Sequence, residues 1–365
     1  MKYYLLSGEV SGDIYGGELI KAIKTLDKDA EFVAFGGEKM RENAAKIRKD
    51  IKELSIMGFW EVLKKLKTVL GNIRFAKNDI LKENPDKIIL IDFPGFNMRI
   101  AKWAKTQGFQ VYYYIAPQAW AWNKKRVFKI KKYIDKLFVI LPFEKEFFSQ
   151  YGIETYYFGH PLIKELQNET FRRGDMAHKV SATTIAILPG SRVQEIKKIL
   201  PIMLSVVLYF ADCQFIIAVK KENSELVREI IDGRNAMHRV QIITDKSREV
   251  LANADFALVK SGTVTLEAAI LECPQIVCYK TSFLSYSIAR MLALVKFISL
   301  PNLIMNKKIV QELIQNDLNT KNLVTELKSL MENKNTQLKE YQLFKQKITS
   351  EKDANLEIAH HIIGC

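Results

Sequence analysis

Lys87-Ile88-Ile89-Leu90-Ile91-Asp92-Phe93-Pro94-Gly95-Phe96-Asn97 is the stretch whose reading decides the fold. From Ile88 to Ile91 every residue is apolar, with no alternation. A strand with one wet face alternates polar and apolar residues, whereas a strand covered on both faces does not. The run therefore predicts a strand in a parallel sheet, ending at Asp92 where Pro94 and Gly95 turn the chain. The same grammar recurs on either side of it. Upstream, Tyr3 to Ser7 is a short apolar strand, and Gly8-Glu9-Val10-Ser11-Gly12-Asp13 is a tight turn. Ile14 to Leu26 has helical periodicity, and Glu31 to Phe35 is a strand closed by Gly36-Gly37. Downstream, Arg99 to Gln107 reads as helix, Gln110 to Ile115 and Lys136 to Ile140 as strands, Glu144 to Tyr151 as helix, and Thr155 to Phe158 as a last strand. This is a βαβ series.

The series pauses over the polar stretch Lys164 to Thr183 and restarts at Thr184 to Leu188. Phe215 to Val219, Val240 to Ile243, Phe256 to Val259 and Gln275 to Tyr279 read as further strands. From about Lys307 onward the chain reads as mostly helical, with no strand-like run. The expectation is two α/β halves facing each other, with the boundary in 160–183. The first domain is placed at 1–165, completed by helices in 345–365, and the second at 175–344.

The chain of 365 residues carries 55 Lys plus Arg against 41 Asp plus Glu, a formal charge of +14. That excess points to an anionic partner, whether nucleic acid, a membrane surface or phosphorylated substrate, without choosing among them. Cys213, Cys273, Cys278 and Cys365 form neither a disulfide scaffold nor a CxxC pair, and read as plain thiols. The apolar run at the N-terminus is too short for a signal peptide, and no segment has the length of a spanning helix. No HExxH or other metal motif occurs, so neither metal nor cofactor is expected.

Ligands of parallel α/β sheets sit at the carboxyl ends of the strands. Four segments lie there. Gly8 to Asp13, with Glu9, Ser11 and Asp13, opens a helix toward a polar ligand. Asp92 is placed either as a general base or as the cap of the helix near Asn97. Pro189-Gly190-Ser191-Arg192 joins a glycine turn to a guanidinium fork that suits a diphosphate. Lys260-Ser261-Gly262-Thr263 enters a helix that carries Glu267 one turn on, where a carboxylate can take two sugar hydroxyls. Two phosphate-like sites in one half and a candidate base in the other fit a nucleotide-diphosphate donor in the second half and an acceptor in the first. Ala119-Trp120-Ala121-Trp122 precedes a basic run from Lys124 to Lys136, read as a solvated face, a phosphate site or an anionic lipid surface. Ile56 to Lys67, with Met57, Phe59, Trp60 and Leu63, reads as core face, membrane interface or acyl tunnel. His160, in Gly159-His160-Pro161, is a hinge residue or a ligand contact.

Taken in order, these words resemble the lipid-A-disaccharide synthase family over nearly the whole chain. They are Gly8-Glu9-Val10-Ser11-Gly12-Asp13, Met57-Gly58-Phe59, Asp92-Phe93-Pro94 with Phe96-Asn97, Ala119-Trp120-Ala121-Trp122, Leu141-Pro142-Phe143-Glu144, Gly159-His160, Leu188 to Arg192, Ser261 to Thr263 with Glu267, and Ser299-Leu300-Pro301-Asn302-Leu303. The resemblance implies an α/β fold of two Rossmann-like domains facing across a cleft, the GT-B type. It implies an inverting, metal-independent glycosyltransferase. Its donor would be UDP-2,3-diacylglucosamine and its acceptor 2,3-diacylglucosamine 1-phosphate, giving the β-1,6 disaccharide 1-phosphate and UDP. Asp92 matches the family's catalytic aspartate, while Gly190, Ser191, Arg192, Ser261, Gly262, Thr263 and Glu267 match donor contacts. Glu9, Ser11, Asp13, Asn97, Trp122, His160 and Asn302 fall on the acceptor side or in the cleft. Met57, Phe59, Trp60 and Leu63 would touch membrane or acyl chain. The family's Asp-x-Pro-Asp-Phe-Asn has Gly95 in place of its second aspartate, and its Ser-Pro-Ser becomes Ala116-Pro117-Gln118. The implied place is the cytoplasmic side of a Gram-negative inner membrane, on an anionic surface, with a homodimer left open.

Three other readings compete. Another two-domain enzyme on a non-lipid UDP-sugar, such as an epimerase, would not distinguish acylated from de-acylated donor. A nucleic-acid module would show salt-sensitive binding to generic strands, yet the basic residues are dispersed and no nucleic-acid motif occurs. An inert α/β scaffold leaves the ordered strand-end motifs unexplained.

Overall fold

The computed structural model describes residues 1–54, 66–169, 183–232 and 239–364. It divides into two compact units, Met1–Pro161 with Thr349–Cys365, and Leu162–Ile348.

The first unit is built on seven strands, β1 (Lys2–Leu6), β2 (Glu31–Gly36), β3 (Lys46–Asp50), β4 (Lys87–Ile91), β5 (Gln110–Tyr114), β6 (Lys136–Val139) and β7 (Thr155–Tyr157). They are all parallel, in the order β3-β2-β1-β4-β5-β6-β7. In β4 all five residues are buried, as its unbroken apolar run requires. Along β1, Tyr3 and Leu5 join the core on one face of the sheet, while Tyr4 and Leu6 join the core on the other. The chain returns at its end: Ile358, Ala359, Ile362 and Ile363 of the helix Ala354–Ile363 pack into the Tyr3 core. Two lysines hold that helix by its C-terminal carbonyls. Lys87 Nζ donates to the carbonyls of Ile362 and Ile363, and Lys136 Nζ donates to that of His361 at 2.7 Å. Cations belong at that pole of the helix dipole.

The second unit holds β8 (Thr183–Leu188), β9 (Cys213–Val219), β10 (Val240–Thr244), β11 (Phe256–Lys260), β12 (Gln275–Tyr279) and β13 (Gln311–Ile314). Its parallel order is β10-β9-β8-β11-β12-β13. Its core on one face includes Ile185, Ile187, Phe215, Ile217 and Leu258, closed by Ile196, Leu200 and Leu327 from helices.

Two strands depart from the sequence reading. β13 lies within the stretch expected to be mostly helical with no strand, and β3, Lys-Ile-Arg-Lys-Asp, has Ile47 as its one apolar residue. Both are short edge strands, paired on one side only. Charged edge strands guard against unwanted pairing, and that chemistry hides them from a hydrophobic pattern. The helix expected from Arg99 begins earlier, at Pro94, because proline is preorganised for the first helical turn.

Candidate functional site

Each sheet reverses its winding at one place. In the first unit the reversal lies between β1 and β4, and in the second between β8 and β11. At such a point neighbouring loops diverge to opposite faces and leave a crevice at the strands' carboxyl ends. The sequence-predicted segments occupy these two places: Gly8–Asp13 and Asp92 in one unit, Gly190–Arg192 and Ser261–Thr263 in the other.

In the second unit a cavity of about 500 Å³ opens there, lined by Gly190, Ser191, Arg192, Ser261, Gly262, Thr263 and Glu267. Gly190 has φ 108°, and a Cβ on it would lie 2.6 Å from Glu195 Oε2, so only glycine makes this turn. Asn223 Nδ2 donates to the Ser191 carbonyl at 2.9 Å and fixes the loop. Glu195 pairs with Lys260 at 3.0 Å and, more loosely, with Arg192 at 3.6 Å. Arg192 is thus held near the cavity with its side chain still over half exposed. Gly262 precedes the helix Thr263–Ile270, and no side chain caps it. The positive end of that helix opens beside the Arg192 loop.

Glu267 is partly buried in the wall, where desolvation raises its carboxyl pKa and Arg248 offsets part of the rise. Arg248 donates to Glu267 at 2.9 Å, to Glu165 at 2.8 Å and to Glu169 at 2.5 Å. Burial opposes the Arg248 cation, but Glu165 and Glu267 raise its pKa overall.

Asp92, in the first unit, is not a helix cap. The helix Pro94–Thr106 follows Phe93 without a side-chain cap. Asp92 and Phe93 instead sit at φ 45° and 46°, two consecutive left-handed residues. Such strain persists only where the surroundings over-determine it. Here Asn97 Nδ2 donates to the carbonyls of Leu6, Ile91 and Asp92, at 3.1, 3.2 and 2.8 Å. Tyr113 Oη also donates to the Asp92 carbonyl, at 2.6 Å. Asn97 thereby braces the ends of β1 and β4, and the Asp92 side chain is left to the loop. Burial pushes the Asp92 carboxyl up to about 6, with the Glu9 charge adding to it. Glu9 is brought near because Gly8 lies flat on the Phe93 ring, where a Cβ would approach within 2.4 Å.

Besides Asn97, two further predicted residues belong to the scaffold. Asp13 is buried, and its carboxylate accepts the N–H groups of Gly37, Lys39 and Met40, tying the first helix to the turn after β2. Asn302 is buried and spends its amide on Val310, Ile309 and Glu312. Glu312 also accepts from Ile298, Ser299 and Ser299 Oγ, while Ser261 Oγ donates to the Ile298 carbonyl at 2.8 Å. The Ser299–Asn302 segment therefore sets where Ser261 stands. Glu9 and Ser11 are exposed. Trp122 is half-exposed, with Arg126 4.7 Å above its ring. His160 is buried, and burial lowers its pKa to about 3, so its ring is neutral. Met57, Phe59, Trp60 and Leu63 lie outside the described residues.

Sequence reasoning missed Lys220, Asp245 and Ser247 of the cavity wall, and took Lys260 only as the lead-in to Ser261. Lys220 and Asp245 directly follow β9 and β10, so the strand-end rule applied to every strand finds them. It also missed Arg248, which acts at long range, and Glu144. Glu144 is buried beneath Trp120, accepts its Nε1–H at 2.8 Å, and burial raises its carboxyl to about 7.

A family model for lipid-A-disaccharide synthetase matches residues 3–363. The chain belongs to the lipid-A-disaccharide synthase family. It is an enzyme of that type, a glycosyltransferase. It is 35% identical over 336 residues to the lipid-A-disaccharide synthase of Syntrophus aciditrophicus, covering 90% of this chain and 87% of the relative. With that of Nitrosococcus oceani it shares 35% over 339 residues, again covering 90% and 87%. Among solved structures, a UDP-GlcNAc 2-epimerase from Neisseria meningitidis bound to UDP-GlcNAc superposes with TM-score 0.67 at 13% identity, covering 100% and 98% of the two chains. A spinosyn rhamnosyltransferase complexed with thymidine diphosphate gives TM-score 0.65 at 11% identity, covering 98% of each. At such identities the likeness is one of fold, the GT-B type with two Rossmann-like units. The family match, not the fold, separates this lipid-A enzyme from the epimerases.

Proposed function

We propose that the second unit holds UDP-2,3-diacylglucosamine, that the first holds 2,3-diacylglucosamine 1-phosphate, and that Asp92 is the base of the inverting transfer. The observation that carries this reading is the cavity at the β8/β11 reversal, where a glycine turn, a guanidinium and an uncapped helix start meet a wall carboxylate. Asp92 takes the proton of the acceptor 6-hydroxyl as that oxygen attacks the donor's anomeric carbon. The C–O bond to UDP breaks, and charge grows on the diphosphate. Arg192 and the N–H groups from Ser261 to Thr263 stabilise that charge, with Lys220 and Lys260 close by. Glu267, oriented by Arg248, holds the ribose hydroxyls. A carboxylate that titrates near 6 is ionised at neutral pH yet more basic than a free aspartate, as a general base should be.

The acceptor and donor are lipids, and we place the chain at an anionic membrane surface. Among the described residues no helix is long and apolar enough to cross a membrane. In the first unit the basic helix Arg126–Tyr133 exposes Phe128 and lays Arg126 over the half-exposed Trp122, which suits that surface. The test incubates the pure enzyme with both acylated sugars in detergent, following UDP release and disaccharide mass. Stoichiometric UDP and disaccharide are expected, with no turnover of de-acylated donor. UDP release without disaccharide, or equal use of the de-acylated donor, overturns the reading.

A further inference from the structure

The helix Phe283–Leu292 in the second unit has no role in the donor cavity. Phe283 is 83% exposed, Met291 79% and Leu294, just beyond the helix end, 54%. Phe283, Ser287, Arg290 and Met291 are spaced i, i+4, i+7 and i+8, which places them on one helical face, and all four are exposed. Apolar residues scattered singly over a surface need no explanation, but Phe283 and Met291 share one helical face and exposed Leu294 follows it in the chain. The charge along this part of the chain is one-sided. Between Glu272 and Glu312 the sequence has no Asp or Glu, yet it carries Lys280, Arg290, Lys296, Lys307 and Lys308. Arg290 on that face and Lys296, four residues past the helix end, are both exposed.

We infer that the Phe283–Leu294 segment is a second membrane-docking surface, whose apolar face enters the headgroup region of an anionic bilayer while Arg290 and Lys296 pair with lipid phosphates. This deepens the membrane part of the proposed function by naming a surface on the donor-binding unit. The segment is too short to span and lies in the interface, as amphipathic helices with basic flanks do. The absence of acids selects the anionic bilayer over a second copy of the chain, since a self-facing patch would oppose Arg290 and Lys296 to their own copies without a counter-charge.

Vesicle co-sedimentation tests this, with phosphatidylcholine alone and with phosphatidylglycerol added. Phe283→Ser, Met291→Ser and Leu294→Ser together should lower the affinity for anionic vesicles by about tenfold or more. Arg290→Gln and Lys296→Gln should each lower it by about fivefold at low salt. UDP affinity and turnover of detergent-dispersed substrates should stay unchanged, which separates this inference from the reaction itself. A Met291→Cys variant in a Cys365→Ser background, carrying an environment-sensitive dye, should brighten with anionic vesicles and stay dim with neutral ones. Unchanged sedimentation of the triple variant, or a dye indifferent to anionic vesicles, overturns the inference. So does a triple variant that loses a dimer while keeping vesicle binding, which assigns the face to a second copy. A raised KM for acylated substrate with vesicle binding intact assigns it to the substrate's acyl chain, and equally overturns it.

Discussion

Replacing Asp92 by Asn should stop turnover and stabilise the first unit, and the size of the gain follows from the site. Burial, with the Glu9 charge behind it, moves the Asp92 carboxyl from its ordinary 3.8 to about 6. Below pH 3.8 both the folded and the unfolded chain hold this proton, and the group contributes nothing. Between 3.8 and 6 the folded chain keeps a proton that the unfolded chain has lost, so stability falls by about 1.4 kcal/mol per pH unit. Above 6 the full penalty stands, about 3 kcal/mol. Asparagine never ionises and escapes it. The backbone should not suffer, because asparagine tolerates the φ of 45°, and the bonds from Asn97 and Tyr113 go to the main-chain carbonyl. All four tryptophans, Trp60, Trp103, Trp120 and Trp122, precede Pro161, so tryptophan fluorescence in urea follows the first unit. The variant should gain up to about 3 kcal/mol at pH 8 and nothing at pH 3.5, while UDP binds as before. Equal stability at pH 8, or a gain independent of pH, would refute a carboxylate held ionised against its burial. Near-normal turnover would remove Asp92 from the role of base.

Glu9→Gln takes away the second cause of the Asp92 shift, so the acid limb of the kcat/KM profile should move to lower pH; an unmoved limb means that Glu9 does not act on the base. Arg248→Met leaves Glu267 without its counter-charge beside Glu165 and Glu169, and UDP affinity measured by calorimetry should fall by about tenfold or more. Asp13→Ala orphans three backbone N–H groups and should cost the first unit about 2–4 kcal/mol in urea, with no change in UDP affinity.

The α/β class, the parallel sheets and the strand-end positions of Asp92, Arg192 and Ser261 follow from the sequence alone. A run such as Ile88 to Ile91 can be buried on both faces in few other ways, and a glycine turn after such a run marks a loop at the ligand-bearing edge. The edge strands β3 and β13 do not, because β3 has a single apolar residue, Ile47, and the four residues of β13 are too few to show a pattern. Nor does the division of labour among the polar residues. Glu9 and Asp13 stand four apart in one turn and look alike in sequence, yet Asp13 is spent on three backbone N–H groups while Glu9 faces the loop of Asp92. Asn302, read from the sequence as a cleft residue, is buried and bonds Ile309, Val310 and the Glu312 network that seats Ser261. Arg248 reaches Glu267 and Glu165 across stretches that local pattern does not link. Which face a strand buries is local information, carried by the order of apolar residues. Where a carboxylate finds its partners depends on packing between segments far apart in the chain, and only the folded molecule decides it.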